Sequence, residues 1–212
     1  MPLGDSLKVG IIGTGEVGRN LARGLSRAGH EVSLGSRNPA NVARRVDRVP
    51  IGTRSGAAKF GEVVILAVPF GAVHDTVRAI GPNALMGKIL VDATNPIADS
   101  GGWALGFSTS GAEELAKLVP GARVVKAFNT VFADRMATGR IGETPLLALV
   151  AADDAVARRT VMKLAGDIGF DPVDAGPLAA ARYLEPMAMQ IIALAWGHGK
   201  MGDRIGYALV RE

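Results

Sequence analysis

Short apolar segments alternate with amphipathic ones along most of the chain, and this alternation predicts strands and helices in turn. The apolar segments, each bounded by glycine, proline or polar residues, are residues 7–12, 31–34, a short one near 49, 63–68, 89–92 and 123–127. Such an order is typical of an α/β protein with a doubly wound, mostly parallel sheet. Ligands of these sheets lie outside the carboxyl ends of the strands.

A glycine-rich turn follows the first predicted strand. Gly13, Gly15 and Gly18 stand in GxGxxG spacing. The first glycine permits the tight turn, the second lets backbone approach a pyrophosphate, and the third lets helix and strand pack closely. Glycines also cluster for packing alone, but here a strand, a helix to residue 28 and a second strand complete the context. The segment therefore predicts a Rossmann-type dinucleotide site, with phosphates at the start of the helix.

The residues after the second strand indicate which dinucleotide binds. NAD-binding domains place an acid there, about twenty residues past the glycines, for the ribose hydroxyls. This chain has Ser36 and Arg37 instead, and no acid before Asp47. A cation and a hydroxyl suit an adenosine 2′-phosphate, so NADP is the expected cofactor. The alternative makes Arg37 a solvated loop charge and Ser36 a helix N-cap. Residues placed to reinforce the phosphate site are Thr14, Arg44 and Arg45.

Small, proline and amide residues stand at the ends of the fourth, fifth and sixth predicted strands. They are Val68-Pro69, Thr94-Asn95-Pro96 and Phe128-Asn129-Thr130. Each has a simpler explanation as a helix start or a turn. Together they predict one continuous groove, because the ends of parallel strands meet at one edge of the sheet. A glycine-rich segment at 100–110 follows, in which Trp103 is either a lid aromatic or an anchor of the loop.

The C-terminal third predicts a strand at 146–151, a helix at 153–168, a strand at 172–174 and a helix at 183–196. The last helix is apolar on nearly all faces and is expected to be buried. We expect a dinucleotide-binding domain at 1–150. The remainder, 151–212, is expected to complete the substrate cleft and a dimer interface. Core packing or a dimer contact is the first interpretation of Met187, and contact with a flat aromatic ligand is the second.

Composition narrows the function classes. The chain has 212 residues, a formal net charge of +4 and no cysteine. The missing cysteines exclude disulfides, a thiolate nucleophile and a sulfur-ligated metal. The sequence has no basic stripe interleaved with aromatic residues, the pattern that would indicate nucleic-acid binding. The first residues lack the apolar core of a signal peptide, and the apolar run 187–196 is too short to span a bilayer. We therefore expect a cytoplasmic protein with no metal and no nucleic-acid or membrane partner.

Collinear motifs over the whole chain resemble the NADPH-dependent reductases of the deazaflavin coenzyme F420. These motifs are GTGEVGRNLARGLSRAGHEVSLGSRNP, AVPF, DATNP, VVKAFNT, GFDPVDAGPLAAARYLE and GKMGDRIGYAL. The NADPH domain of the STEAP ferric reductases is similar as well, at KAFNT and at PVDAGPL followed by AR and Glu. Family members often carry a further cation just inside the helix after the second strand, where this chain has Asn41.

The resemblance implies a site for NADP that runs along the strand ends. The expected cofactor-binding residues are Gly13, Thr14, Gly15, Glu16, Val17, Gly18, Ser36, Arg37, Ala67, Val68, Pro69, Asn95, Pro96 and Ala127. The resemblance also implies F420 as second substrate. For that substrate the expected contacts are Asn129 and Thr130, as donors towards the deazaflavin carbonyls, and Met187.

No residue is expected to act as acid, base or nucleophile. Of the three histidines, only His74 is expected near the groove, and His30 and His198 are expected to be structural. Hydride transfer between two rings needs them held about 3–3.5 Å apart and shielded from water, without a protein nucleophile. The missing acid–base group favours this chemistry over reduction of a simple carbonyl or imine.

Three alternatives stay open. A STEAP-like reductase would pass the hydride to FMN or FAD, whose tricyclic outline matches that of a deazaflavin. A small-substrate NADP dehydrogenase would need a larger helical domain than the residues after Asp174 provide. A non-catalytic NADP-binding module would need no second groove. A homodimer is expected, because the apolar helix offers more surface than a thin C-terminal segment covers.

Overall fold

The computed structural model describes residues 6–42, 46, 48–98 and 100–212. Arg44, Arg45 and Asp47 therefore lie outside the described residues. The strands are β1 Lys8–Ile12, β2 Glu31–Ser36, β3 Ile51–Thr53, β4 Val63–Leu66, β5 Ile89–Asp92, β6 Arg123–Lys126, β7 Arg140–Ile141, β8 Thr144–Pro145, β9 Leu147–Ala151 and β10 Asp171–Gly176. The α-helices are α1 Glu16–Arg27, α2 Arg54–Phe60, α3 Val73–Ile80, α4 Gly111–Leu118, α5 Ala155–Ile168 and α6 Ala181–Trp196.

Eight strands form one sheet in the order β10-β9-β6-β5-β4-β1-β2-β3. Strands β1 to β6 are mutually parallel, β9 pairs antiparallel with β6, and β10 is parallel to β9. The sub-order 3-2-1-4-5-6 is that of a Rossmann fold, with the strand order reversing between β1 and β4. The predicted fold class is confirmed. The expected domain boundary at residue 150 falls inside β9, which is a strand of this sheet. The division of the chain into a dinucleotide-binding part and a substrate part stays a prediction.

The helices form a layer on each face of the sheet, α1 and α5 on one side and α2, α3, α4 and α6 on the other. Alternate residues of the central strands feed two hydrophobic cores, as the two-residue period of a strand requires. In β1, Ile11 packs towards α1 and α5 while Ile12 packs towards α2 and α3. In β4, Ile65 and Leu66 divide in the same way. The doubly covered sheet explains why these strands are apolar on both faces.

Helix α6 is not buried on all sides, so that prediction is wrong. Leu184, Ala188 and Ile191 are buried, but Tyr183 and Trp196 are 75% and 61% exposed. One stripe of the helix packs on the protein and the opposite stripe faces outwards. Hydrophobicity alone does not reveal which faces the rest of the chain covers. Across the described residues, no helix combines the length and apolarity needed to span a membrane.

A fully buried charge cluster joins the ends of β5 and β6 to α6. Lys126 Nζ lies 2.8 Å from Asp92 Oδ2, 2.8 Å from Glu185 Oε1 and 2.6 Å from the carbonyl oxygen of Thr94. The ammonium therefore donates hydrogen bonds to Asp92 and Thr94 and forms an ion pair with Glu185. The Glu185 carboxylate accepts the backbone N–H groups of Gly111 and Ala112 at the start of α4. The cluster thus fixes two strands and two helices to one another.

The cluster generates a stability prediction. We expect Lys126→Met to lower the free energy of unfolding by about 3–5 kcal/mol, because two buried carboxylates lose their counter-charge. Lys117→Gln removes a cation whose ion pair with Glu114 is solvated, its side chain being 67% exposed. That control should change stability by less than about 1 kcal/mol. Urea unfolding followed by circular dichroism measures both, and equal effects of the two variants would contradict the role given to the cluster.

Candidate dinucleotide site

The three glycines of the turn between β1 and α1 occupy different environments. Gly13 has a φ of +126°, and a Cβ there would lie 2.1 Å from the carbonyl oxygen of Ala67. A Cβ on Gly18 would lie 2.1 Å from the carbonyl oxygen of Gly13, so this glycine allows α1 to sit against the turn. Gly15 has a φ of −72°, and a Cβ there would have no neighbouring atom within 4 Å. Neither protein contacts nor backbone conformation require glycine at position 15, which agrees with the prediction that a phosphate approaches the backbone there.

The carboxyl ends of β1, β2, β4, β5 and β6 form a level edge, here called the strand-end edge. Successive backbone hydrogen bonds link Gly13 to Gly35, Ala67 to Ile12, Ala93 to Leu66 and Ala127 to Asp92. The residues predicted from separate segments therefore follow one another along this edge. The glycine turn lies at the switch point of the strand order, where Rossmann-type sheets bind their ligands.

A cavity of about 450 Å³ opens at the ends of β1 and β2. Its walls include five of the residues predicted to bind the cofactor, namely Gly13, Thr14, Ser36, Arg37 and Pro69. Asn41 also lines it and brings no charge. The remaining predicted residues towards β5 and β6 (Asn95, Pro96 and Ala127) are not part of its walls. The structure thus brings together the residues expected around an adenosine phosphate in one cavity.

Ser36 and Arg37 are available to an anion. The Ser36 Oγ is buried and accepts the N–H of Asn38 at 3.1 Å, which leaves the hydroxyl hydrogen to donate. Arg37 is exposed, and no ion pair to it occurs among the residues that the structure describes. The 3₁₀ turn that follows, Pro39–Asn41, has Asn38 at its N-cap. The alternative in which Ser36 caps the next helix is therefore wrong.

Arg54, which the sequence does not single out, lines the same cavity. Its Nε atom is buried and has no hydrogen-bond partner. Burial first and the charge of Arg37 second lower the pKa of Arg54 below its ordinary value. The position of Arg54 follows from the pairing of β2 with β3. Strand β3 has only three residues, and the sequence locates it only approximately, so sequence reasoning missed Arg54.

Two asparagines tie the ends of β5 and β6 together. Asn95 Nδ2 donates to the carbonyl oxygen of Asn129 at 2.8 Å, and Asn129 Nδ2 donates to Asn95 Oδ1 at 3.0 Å and to the carbonyl oxygen of Leu184 at 2.8 Å. Phe128, the residue before Asn129, has a φ of +67°, a conformation that non-glycine residues seldom adopt. The amide of Asn129 thus holds the turn against α6, and its contact with a substrate stays a prediction.

Thr130 is buried next to this turn, whereas Met187 lies apart from it. Met187 lines a cavity of about 380 Å³ together with Phe107, Tyr183 and Pro186. No residue of the strand-end edge is among the walls of that cavity. The predicted substrate contacts are therefore divided between two places in the structure, and both stay predictions.

Of the three histidines, His30 has the structural role expected of it, whereas His74 does not line the cavity at β1 and β2. His30 is buried, its Nδ1 accepts the N–H of Leu7, and its Nε2 lies 3.2 Å from Asp167 Oδ2. Burial lowers the pKa of His30 although Asp167 opposes this effect. His30 is therefore structural. His74 is more than half exposed and lines an apolar cavity between α3 and α4.

The strand order, the glycine turn and the cavity lined by Ser36 and Arg37 define an NADP-type Rossmann domain. Comparison with known proteins agrees. The family model described as "NADP oxidoreductase coenzyme F420-dependent" matches residues 8–96. The F420-dependent NADP reductase of Methanothermobacter marburgensis is 34% identical over 208 residues, covering 89% of this chain and 92% of that protein. The chain belongs to the F420-dependent NADP oxidoreductase family, whose cofactor is NADP.

Two further known proteins are similar to this chain. Metalloreductase STEAP3 of Rattus norvegicus is 36% identical over 89% of this chain, which spans only 38% of the STEAP3 length. A crystal structure from Arthrobacter sp. FB24, of a protein assigned as an F420-dependent NADP reductase, superposes with a TM-score of 0.87 at 30% identity. That superposition covers 97% of this chain and all of the other.

The glycine turn yields a pair of opposed predictions. Gly15→Ala should leave stability within about 0.5 kcal/mol, as expected for a surface change, yet weaken NADPH binding, since its methyl group would occupy space for the pyrophosphate. Gly18→Ala should destabilise the fold by about 1–3 kcal/mol through overpacking. Calorimetric titration with NADPH and thermal unfolding measure the two effects.

Gly166→Ala provides the control for this pair. It lies on α5, where an added Cβ would meet only Pro172 Cγ at an ordinary 3.7 Å. Its NADPH affinity should equal that of the wild type. Unchanged NADPH affinity in Gly15→Ala would show that the pyrophosphate does not lie on this turn.

Proposed function

We propose that the protein transfers a hydride between NADP(H) and coenzyme F420. The observation that carries this proposal is that the predicted cofactor and substrate residues follow one another along the strand-end edge. A cavity suited to the 2′-phosphate lies at β1 and β2, and the Asn95–Asn129 pair closes the edge at β5 and β6. Membership of the F420-dependent family, with a relative covered over 92% of its length, supports F420 as the second substrate.

The residues towards β2 hold the dinucleotide. Thr14, Ser36 and Arg37 face the cavity for the 2′-phosphate, and the open space at Gly15 admits the pyrophosphate. Ala67, Val68 and Pro69 continue the edge from β4 towards the nicotinamide. The dinucleotide, when bound, supplies or accepts a hydride at its nicotinamide ring. The protein's own part is to hold that ring where Asn95, Pro96 and Ala127 end the next two strands.

No side chain is needed to take a proton from the reacting carbon. Reduction of the deazaflavin adds one hydride to a ring carbon and one proton to a ring nitrogen, and water can supply that proton. Buried Thr130 and the Asn129 turn give the ring edge a fixed wall, because the Asn95 and Leu184 bonds prevent the turn from moving. Met187 belongs to this substrate region only if F420 extends along α6 towards its separate cavity. No residue is therefore proposed as catalytic in the acid–base sense.

A flavin is the second candidate acceptor. The 36% identity to STEAP3 over 89% of this chain favours it, because a STEAP-like reductase would pass the hydride to FMN or FAD. The F420 proposal is preferred, since the F420-dependent relative is matched over nearly its whole length.

A spectrophotometric assay tests the proposed activity. NADPH should bleach the visible absorbance of oxidised F420 in the presence of the protein, and FMN should turn over more slowly. Thr130→Leu should lower the F420 rate by up to about a hundredfold through misplaced rings, with NADPH affinity retained. His74→Ala, an exposed change at the start of α3, should keep the wild-type rate. Turnover of FMN but not F420 would move the proposal to the flavin reductase class.

We also propose that the protein is a cytoplasmic homodimer. The cysteine-free composition suits a reducing compartment. Tyr183 and Leu194 are exposed on the outer side of α6 and Trp196 is exposed at its end, and exposed apolar side chains of this size favour an interface. Light scattering should give twice the chain mass, and Trp196→Asp should give monomers. Val156→Asp, an exposed change on α5, should remain dimeric. A wild-type monomer at micromolar concentration would contradict the proposal.

A further inference from the structure

Two arginines follow adjacent parallel strands at equivalent positions. In the register of β2 with β3, Ser36 is paired with Thr53. Arg37 is the residue after Ser36, and Arg54 is the residue after Thr53. Neighbouring strands lie about 4.8 Å apart, so the register alone brings the two residues side by side at the strand-end edge. Both line the cavity of about 450 Å³ and a second one of about 460 Å³ beside it.

Neither guanidinium has an anionic partner among the described residues. Arg54 Nε is buried without a hydrogen bond, although an unpaired buried polar atom is costly. Asp75 lines the second cavity, but its side chain is 87% exposed and its Oδ1 lies 3.8 Å from His74 Nδ1. Arg19, the third arginine of the first cavity, is paired with Glu16 at 3.0 Å. The cavity therefore holds two positive charges that no described acid balances.

We propose that Arg54 binds the 2′-phosphate of NADP(H) together with Arg37 and Ser36, and thereby helps to select NADP over NAD. This inference rests on the proposed NADP-dependent function and adds a residue to it. A phosphate monoester carries nearly two negative charges and three acceptor oxygens. Two guanidinium groups and a hydroxyl match that charge and that number of acceptors, whereas a ribose hydroxyl would leave both cations unbalanced.

The environment of Arg54 supports ligand binding over a purely structural part. A structural arginine in a half-buried position normally satisfies its Nε–H with a carbonyl or a carboxylate. Here that hydrogen has no acceptor, and the neighbouring positive charge of Arg37 opposes the placement. An anion between the two groups removes both costs. The other cation of these walls, Arg19, is already paired with Glu16, and Asn41 is neutral.

The test compares NADPH with NADH, which differ only in the 2′-phosphate, by calorimetric titration. Arg54→Gln should weaken NADPH binding about tenfold to a hundredfold, the usual range for one hydrogen bond to a charged group, and leave NADH binding unchanged. Arg37→Gln should show the same pattern and serves as the reference. Lys59→Gln removes an exposed cation from the same helix and should change neither affinity.

Each outcome separates the inference from the function on which it rests. If the wild type binds NADPH and NADH equally, the proposed NADP site fails. If the wild type prefers NADPH and only Arg37→Gln reduces that preference, the Arg54 inference is overturned and the function stands. Equal weakening of both dinucleotides by Arg54→Gln would assign Arg54 a structural part and also overturn it. Should Arg54→Gln fail to fold, Arg54→Lys replaces it, with a loss expected for NADPH alone because lysine lacks the guanidinium fork.

Discussion

The buried ammonium of Lys126 is the constraint on which the second half of the site depends. It satisfies two carboxylates and a carbonyl oxygen where β5 and β6 end. Through Glu185 it also engages the first N–H groups of α4, so the excess negative charge of the cluster meets the positive end of a helix. Desolvated charges are tolerated only when fully paired, and this pairing requires both strand ends and both helices to be in place at once.

Because the cluster fixes these elements, the neighbouring turn can adopt a strained form. Phe128 keeps a positive φ beside the cluster, and the Asn95–Asn129 bonds hold the chain across the gap between the two strands. At the other end of the strand-end edge, Arg37 and Arg54 meet over a cavity without an acid. At the β5 and β6 end of the groove, the polar groups are thus hydrogen-bonded within the protein. At the β2 and β3 end, two arginine charges remain for a ligand to balance. This asymmetry suits a protein that anchors a dinucleotide by its phosphates and presents its ring to a second, flat molecule.

The local part of this arrangement is predictable from the sequence. Strand β1, the glycine turn and α1 are contiguous in the sequence. The spacing of the three glycines is typical of this turn, so the local structure follows from neighbouring residues. The strand ends are also predictable, because any parallel sheet aligns them. Arg54 escapes prediction because its place depends on the pairing of a three-residue strand. Lys126 and Glu185 escape it because they meet only after α6 packs against the sheet. The outer face of α6 is predicted wrongly since apolar residues mark an interface as readily as a core.

Direct hydride passage is the central claim, and isotope transfer tests it most directly. NADPH deuterated at the transferring position of nicotinamide C4 is incubated with oxidised F420 and the protein in ordinary water, and the reduced deazaflavin is examined by NMR. Because the carbon–hydrogen bond formed on a deazaflavin does not exchange readily, the account predicts deuterium at the reduced ring carbon. Hydrogen from solvent at that carbon would contradict direct transfer between two rings held together at the strand-end edge.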